Sequence, residues 1–236
     1  MSYVVVAIVI GLLIAIHECG HLLAAKLCGI PVKRFSIGFG PKLFGFTLGK
    51  TSYWFSMIPF GGYVWPALED TDFRRLPAYK RIIFALGGPI ANIVAAFGGL
   101  FVIGLSQFRL TAAQALSFAA TNLLIGLQQQ LHGLSTLFAD LGQVSGIVGI
   151  VAVGGAEFGS TLASLLTFSV LINISLAVLN LLPLPPLDGG RVVFCVLEKI
   201  YRPAAKVEAP VTLVGWALVM VLMVCLTIQD VGRLVA

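Results

Sequence analysis

Charge is scarce in this sequence. Only 11% of its 236 residues are Asp, Glu, Lys or Arg, where a soluble domain carries about 25%. Hydrophobic residues make up 58%. This excludes an ordinary soluble enzyme and places the chain among integral membrane proteins. Cysteine is also sparse. Cys19, Cys28, Cys195 and Cys225 show no CxxC spacing, so no disulfide framework is expected. The opening stretch MSYVVVAIVIGLLIAI lacks the basic n-region and small-residue cleavage site of a secretory signal, and is expected to stay as a membrane helix. There is no internal repeat and no disordered tail, so residues 1–236 are expected to form a single domain.

The net charge of +5 does not point to nucleic acid, because thirteen of the fifteen Lys and Arg residues fall within 26–81 and 191–206. Basic clusters between apolar runs mark cytoplasmic loops. Four spans are expected, roughly Val4–Leu27, Ile82–Phe108, Phe158–Leu187 and Ala209–Gln229, each long enough to cross about 30 Å of hydrocarbon. Both termini then lie outside, with residues 28–81 and 188–207 in the cytoplasm. That topology brings His17, His21 and Asp188 to one depth near the cytoplasmic side.

Two regions do not fit this plan of spans. Residues 35–65 carry FSIGFGP and YWFSMIPFGGYV, which are strand and turn signals. They suit either a β segment re-entering the membrane, its backbone satisfied by protein or a wet cavity, or a hairpin packed on the membrane surface. Residues 110–157 are apolar but interrupted by Gln128–Gln130, His132 and a Gly-rich run. They are expected to form external, interfacial or partly inserted helices, with two further spans as the alternative. The fold class is thus an all-α polytopic membrane protein with a small β segment.

His17-Glu18-Cys19-Gly20-His21 is an HExxH motif. On a helix, positions i and i+4 share a face, so both imidazoles can hold one Zn²⁺ while Glu18 takes a proton from its water. A shuffled chain of this composition would contain the motif with a frequency on the order of one in a thousand. The plainer alternative is a polar cluster that glues helices together, yet ionisable groups inside a membrane helix are costly. Catalytic zinc takes three protein ligands. His132, the third and last histidine, falls on the external side, so Asp188 in NLLPLPPLDGG is the better candidate. Pro183, Pro185 and Pro186 break the helix there, and two glycines allow a sharp turn. Alternatively, Asp188 only caps the helix that follows. In GGPIAN, Gly87, Gly88 and Ala91 suit close helix packing, and Asn92 suits either a helix–helix hydrogen bond or a substrate contact. Tyr63, Trp54 and Trp65 suit interface anchors.

HECGH, GFGP (38–41), PFGGYV (59–64), GGPIAN (87–92), SGIVGI (145–150) and NLLPLPPLDGG (180–190) occur in the order found in site-2 proteases, and the chain resembles that family along nearly its whole length. The resemblance implies one zinc per chain on His17, His21 and Asp188, with Glu18 as general base. It implies that Asn180 helps to hold substrate, and that the β segment, including Gly61, Gly62 and Tyr63, receives unwound substrate as an added strand. Implied substrates are single-pass membrane proteins such as anti-sigma factors or remnant signal peptides, and the implied location is the bacterial inner membrane. The chain departs from many members in having no PDZ or CBS domain and in reading SGIVGI where a proline is usual. The rival reading is a zinc-binding or zinc-transport membrane protein without protease activity. A transporter, however, needs ligands along a path, and the third and fourth spans carry no charged residue.

Overall fold

The computed structural model of the protein describes residues 2–137, 146–158, 161–201 and 204–235. It is mostly helical: α1 (Ser2–Leu27), α2 (Asp70–Arg75), α3 (Ala78–Ser106), α4 (Ala112–Leu137), α5 (Ile147–Val153), α6 (Leu162–Asn180), α7 (Asp188–Ile200) and α8 (Ala204–Val235), with strands β1 (Val32–Leu48) and β2 (Thr51–Pro66) after α1. Gly154–Phe158 continues α5 as a π-helical turn. Among the described residues, four helices are long and apolar enough to cross a membrane: Tyr3–Leu27, Ala78–Ser106, Leu162–Asn180 and Val207–Arg233. The third ends seven residues before the sequence-based estimate because the Pro-rich turn begins directly after Asn180.

α1 ends in a Schellman turn. Gly29 takes φ +67, and Ile30 N–H donates to Ala25 O at 2.8 Å while Gly29 N–H donates to Lys26 O at 3.1 Å. This satisfies carbonyls that would otherwise be orphaned, and sends the chain directly into β1. There, β1 and β2 bend so that four segments lie side by side. Phe44–Leu48 pairs antiparallel with Thr51–Phe55, the other side of Ser52–Phe55 meets Arg34–Ile37 with both numberings rising, and Arg34–Ile37 pairs antiparallel with Gly62–Trp65. The two edges of the sheet are therefore 42–48 and 62–66.

α1 and α3 touch backbone to backbone. A Cβ on Gly20 would lie 2.2 Å from Gly87 O, and one on Gly87 would lie 2.6 Å from Gly20 O, so the small residues permit a contact that larger ones would forbid. A second core joins α3, α4 and α6 through Ala96, Leu100, Ile103, Ala119, Val170 and Ile174.

The 110–157 tract divides in two. α4 is one 26-residue helix, about 39 Å long. It packs lengthwise on α3 and α6, with Gly104 against Ala115 near its start and Gly126 against Ile174 further along. It is thus part of the bundle, a closer association than an external helix implies, because Ala115, Ala119, Asn122, Gly126 and Gln130 form one narrow stripe of small or half-buried residues. α5 and its π turn instead lie against the N-terminal end of α1, where Gly155 meets Tyr3 and Gly154 meets Val6. Asp230 of α8 accepts a 2.7 Å hydrogen bond from Gly149 N. Ser145 of the SGIVGI segment lies outside the described residues.

The Pro-rich turn differs from its sequence-based account. Asp188 begins α7, and Leu187 is its N-cap. Gly189 and Gly190 are helical and not left-handed. They are needed for space: a Cβ on Gly189 would meet Leu181 O at 2.3 Å, and one on Gly190 would meet the Leu184 carbonyl carbon at 2.7 Å. Glycine lets the turn fold back onto the helix it precedes.

Candidate metal centre

α1 projects His17 and His21 from successive turns, and the first residue of α7 meets them. His17 Nε2 and His21 Nε2 are 3.2 Å apart, and each is 3.2 Å from Asp188 Oδ2. All three residues are buried. Ligand atoms about 2.0–2.1 Å from a tetrahedral zinc lie about 3.3 Å from one another. The triangle therefore has the dimensions of one face of such a tetrahedron. Among the described residues this is the metal-capable cluster of His, Cys, Asp or Glu.

The protons agree with the distances. His21 Nδ1 lies 2.8 Å from Phe84 O, and a carbonyl can only accept, so the proton sits on Nδ1 and Nε2 offers its lone pair. His17 Nδ1 lies 3.3 Å from Asn92 Nδ2; Asn92 is fully buried and its Oδ1 has no partner. With Nε2 turned into the site, Nδ1 carries the proton, and a half-turn of the buried amide presents Oδ1 to it in place of Nδ2. Asp188 Oδ2 is sealed and accepts no hydrogen bond. Two lone pairs and a carboxylate oxygen converging in a dry pocket need a cation between them.

α3 closes the back of the site. A Cβ on Gly88 would lie 2.5 Å from both imidazole Nε2 atoms, so only glycine fits. Pro89, inside α3, lacks the N–H that would bond Ala85 O, and in the adjoining turn Phe84 O serves His21. The front is the 62–66 edge of the sheet, where a Cβ on Gly62 would lie 2.7 Å from Glu18 Cγ.

The chain's sequence agrees with this chemistry. The profile of Peptidase family M50 matches residues 5–222. The chain belongs to peptidase family M50, the site-2 protease family. It is 27% identical to a candidate zinc metalloprotease of Fusobacterium nucleatum, with 99% of each chain covered. It is 30% identical to one of Clostridium perfringens, over 93% of this chain and 95% of the relative. A shorter match, 48% identical over 86 residues, joins 36% of this chain to 20% of the zinc metalloprotease RasP of Oceanobacillus iheyensis. The Fusobacterium alignment runs over 337 positions against a chain of 236 residues, so part of the relative has no counterpart here. Members of this family are metalloproteases, the relatives are named for zinc, and His17, His21 and Asp188 form a group that could hold such an ion.

The remaining residues singled out in the sequence lie as follows. Gly61 takes φ +128, and a Cβ there would strike the Phe39 ring at 2.0 Å. Tyr63 stacks on Phe39, and its hydroxyl accepts from Arg34 at 3.3 Å. Asn92 on α3 is buried and reaches His17 on α1, the helix–helix contact that was one of its two readings. Asn180 ends α6 and donates to Leu176 O of its own helix at 2.9 Å. Sequence reasoning did not find the Phe84 carbonyl, which no side-chain pattern encodes. It assigned Gly88 only to helix packing; the signal was its place four residues before Asn92 in the same small-residue run.

Proposed function

We propose that the protein is an intramembrane endopeptidase that hydrolyses peptide bonds in or near the membrane segments of single-pass substrates, in the bacterial cytoplasmic membrane. The observation that carries this is the position of the metal centre: two ligands and Glu18 project from the first candidate span, next to an unpaired sheet edge. Arg74, Arg81 and Arg191 gather around one cavity, Arg191 lying three residues after Asp188, which supports a site toward the cytoplasm with both termini outside.

His17, His21 and Asp188 hold the metal. When bound, zinc supplies Lewis-acid chemistry, acidifying water and polarising a carbonyl. Glu18 follows His17 directly and takes the proton from the attacking water at its carboxylate, then returns it to the leaving amine. Asn92 and Phe84 fix the two imidazoles from behind. Gly61, Gly62 and Tyr63 lie on the sheet edge that offers unpaired backbone groups to an extended peptide, and Asn180, at the end of α6, borders the turn carrying Asp188. A helix must open before its amides can be attacked, and an added strand satisfies the backbone that opening exposes.

The test is cleavage of a synthetic membrane-spanning peptide in liposomes by purified protein. Chelation should abolish it and zinc restore it. Glu18→Gln should lower activity by orders of magnitude while zinc stays bound. Zinc lost together with activity would make Glu18 a ligand, and cleavage that survives chelation would remove the proposal altogether.

A further inference from the structure

We propose that a cavity beside the metal centre binds the phosphate of an anionic phospholipid headgroup. The cavity measures about 420 Å³ and lies between the end of β2, the start of α3, α7 and the start of α8. Three guanidinium groups line it, from Arg74, Arg81 and Arg191, against the single carboxylate of Glu208. Arg74 reaches Glu208 at 3.7 Å, and Arg81 pairs with Glu198. Arg191 is exposed and enters no ion pair among the described residues. Arg81 is buried, and its Nε–H has no acceptor. With Arg74 and Arg81 each facing one carboxylate, Arg191 leaves the wall with excess positive charge, which a phosphate oxygen would pair.

The same cavity has an apolar half. Trp65, Leu213 and Trp216 line it and are exposed. It also sits where two candidate spans begin, since Arg81 is in the first turn of Ala78–Ser106 and Glu208 starts Val207–Arg233. Only 6% of the α8 span is buried inside the protein, so bilayer lipid is the neighbour at the cavity mouth. Arginines and exposed aromatic residues lining one cavity match the two halves of a lipid at the interface. A soluble anion would use the arginines and leave the apolar half empty.

The site rests on the membrane placement and not on the protease chemistry. The probe is phosphatidylglycerol added to the purified protein in detergent, with retained lipid measured by native mass spectrometry. Wild-type protein should hold it more tightly than phosphatidylcholine. Arg74→Gln and Arg191→Gln should each weaken binding about fivefold. Thr212→Trp should block the cavity without changing charge. Arg75→Gln, exposed and paired with Asp72 outside the cavity, should bind as wild type. Zinc content is measured in every variant and should not change, which separates failure of this site from failure of the metal centre or the fold. Unchanged phosphatidylglycerol binding in the Arg74/Arg191 double variant overturns the proposal. So does displacement of the lipid by inorganic phosphate at equal concentration. An acidic peptide that binds there while the lipid does not would assign the cavity to the substrate's flank instead.

Discussion

Gly62 faces Glu18 so closely that a methyl group on its Cα would lie 2.7 Å from Glu18 Cγ and 2.8 Å from Ser36 O. The Ser36 carbonyl belongs to the paired strand and cannot yield, so the side chain of Glu18 must move. Gly62→Ala should therefore cut kcat by about 10²-fold, the scale expected for a displacement near 1 Å, with zinc content unchanged. Gly61→Ala should behave differently, because φ +128 and the Phe39 ring make it a change in the stability of the sheet. Peptide-cleavage kinetics and thermal melts of both variants test this; a Gly62→Ala enzyme with full activity would detach the sheet edge from the catalytic carboxylate.

Asn92 should control zinc affinity through His17. Asn92→Leu keeps the volume but leaves Nδ1–H of His17 buried without an acceptor, and zinc should bind about 10–100-fold more weakly. Asn92→Asp restores an acceptor and should hold zinc near the wild-type level. Competition with a fluorescent chelator reads both values. If the Leu variant bound zinc like wild type, Asn92 would be packing alone.

The strand order sharpens a proline scan. Positions 52–55 are paired on both sides, so proline there should unfold the sheet. Positions 43–47 and 62–65 both lie on edges, but only the second is next to Glu18. Some proline variants at 62–65 should lose cleavage of a helical substrate while keeping zinc and fold, with the matching alanine variants active. Proline at 43–47 should leave cleavage intact. Equal behaviour of the two edges would end the strand-addition mechanism.

Topology can be measured directly. Cysteine substitutions at Lys50 and Lys199 should label from the cytoplasm, and those at Arg109 and Arg233 from outside. A label placing Lys199 outside would contradict the shared depth of Asp188 and the histidines.

The clustering of His17, His21 and Asp188 was largely legible in the sequence, because a helix makes HExxH spacing equivalent to a shared face and because charge is rare enough for Asp188 to stand out. The four long apolar helices were legible from the same scarcity of charge. α4 was not, since its contact stripe is built from Ala115, Ala119, Asn122 and Gln130, which lower its hydropathy without exposing it. The Arg81–Glu198 pair spans 117 positions, beyond the reach of local patterns. The part Asn92 plays depended on which helix faced it, a property of the Gly20–Gly87 crossing and not of its own neighbours.

The separation of Asp188 from the histidines also has a consequence for biosynthesis. On the proposed reading, α1 leaves the ribosome for the membrane while the residues that become α7 are still untranslated. The nascent chain then carries two imidazoles and a base but lacks the carboxylate that completes the coordination triangle. With the proposed mechanism, competence for hydrolysis would arrive only when the Pro-rich turn docks, late in translation, and a growing or truncated polypeptide would be spared an active centre in its own membrane.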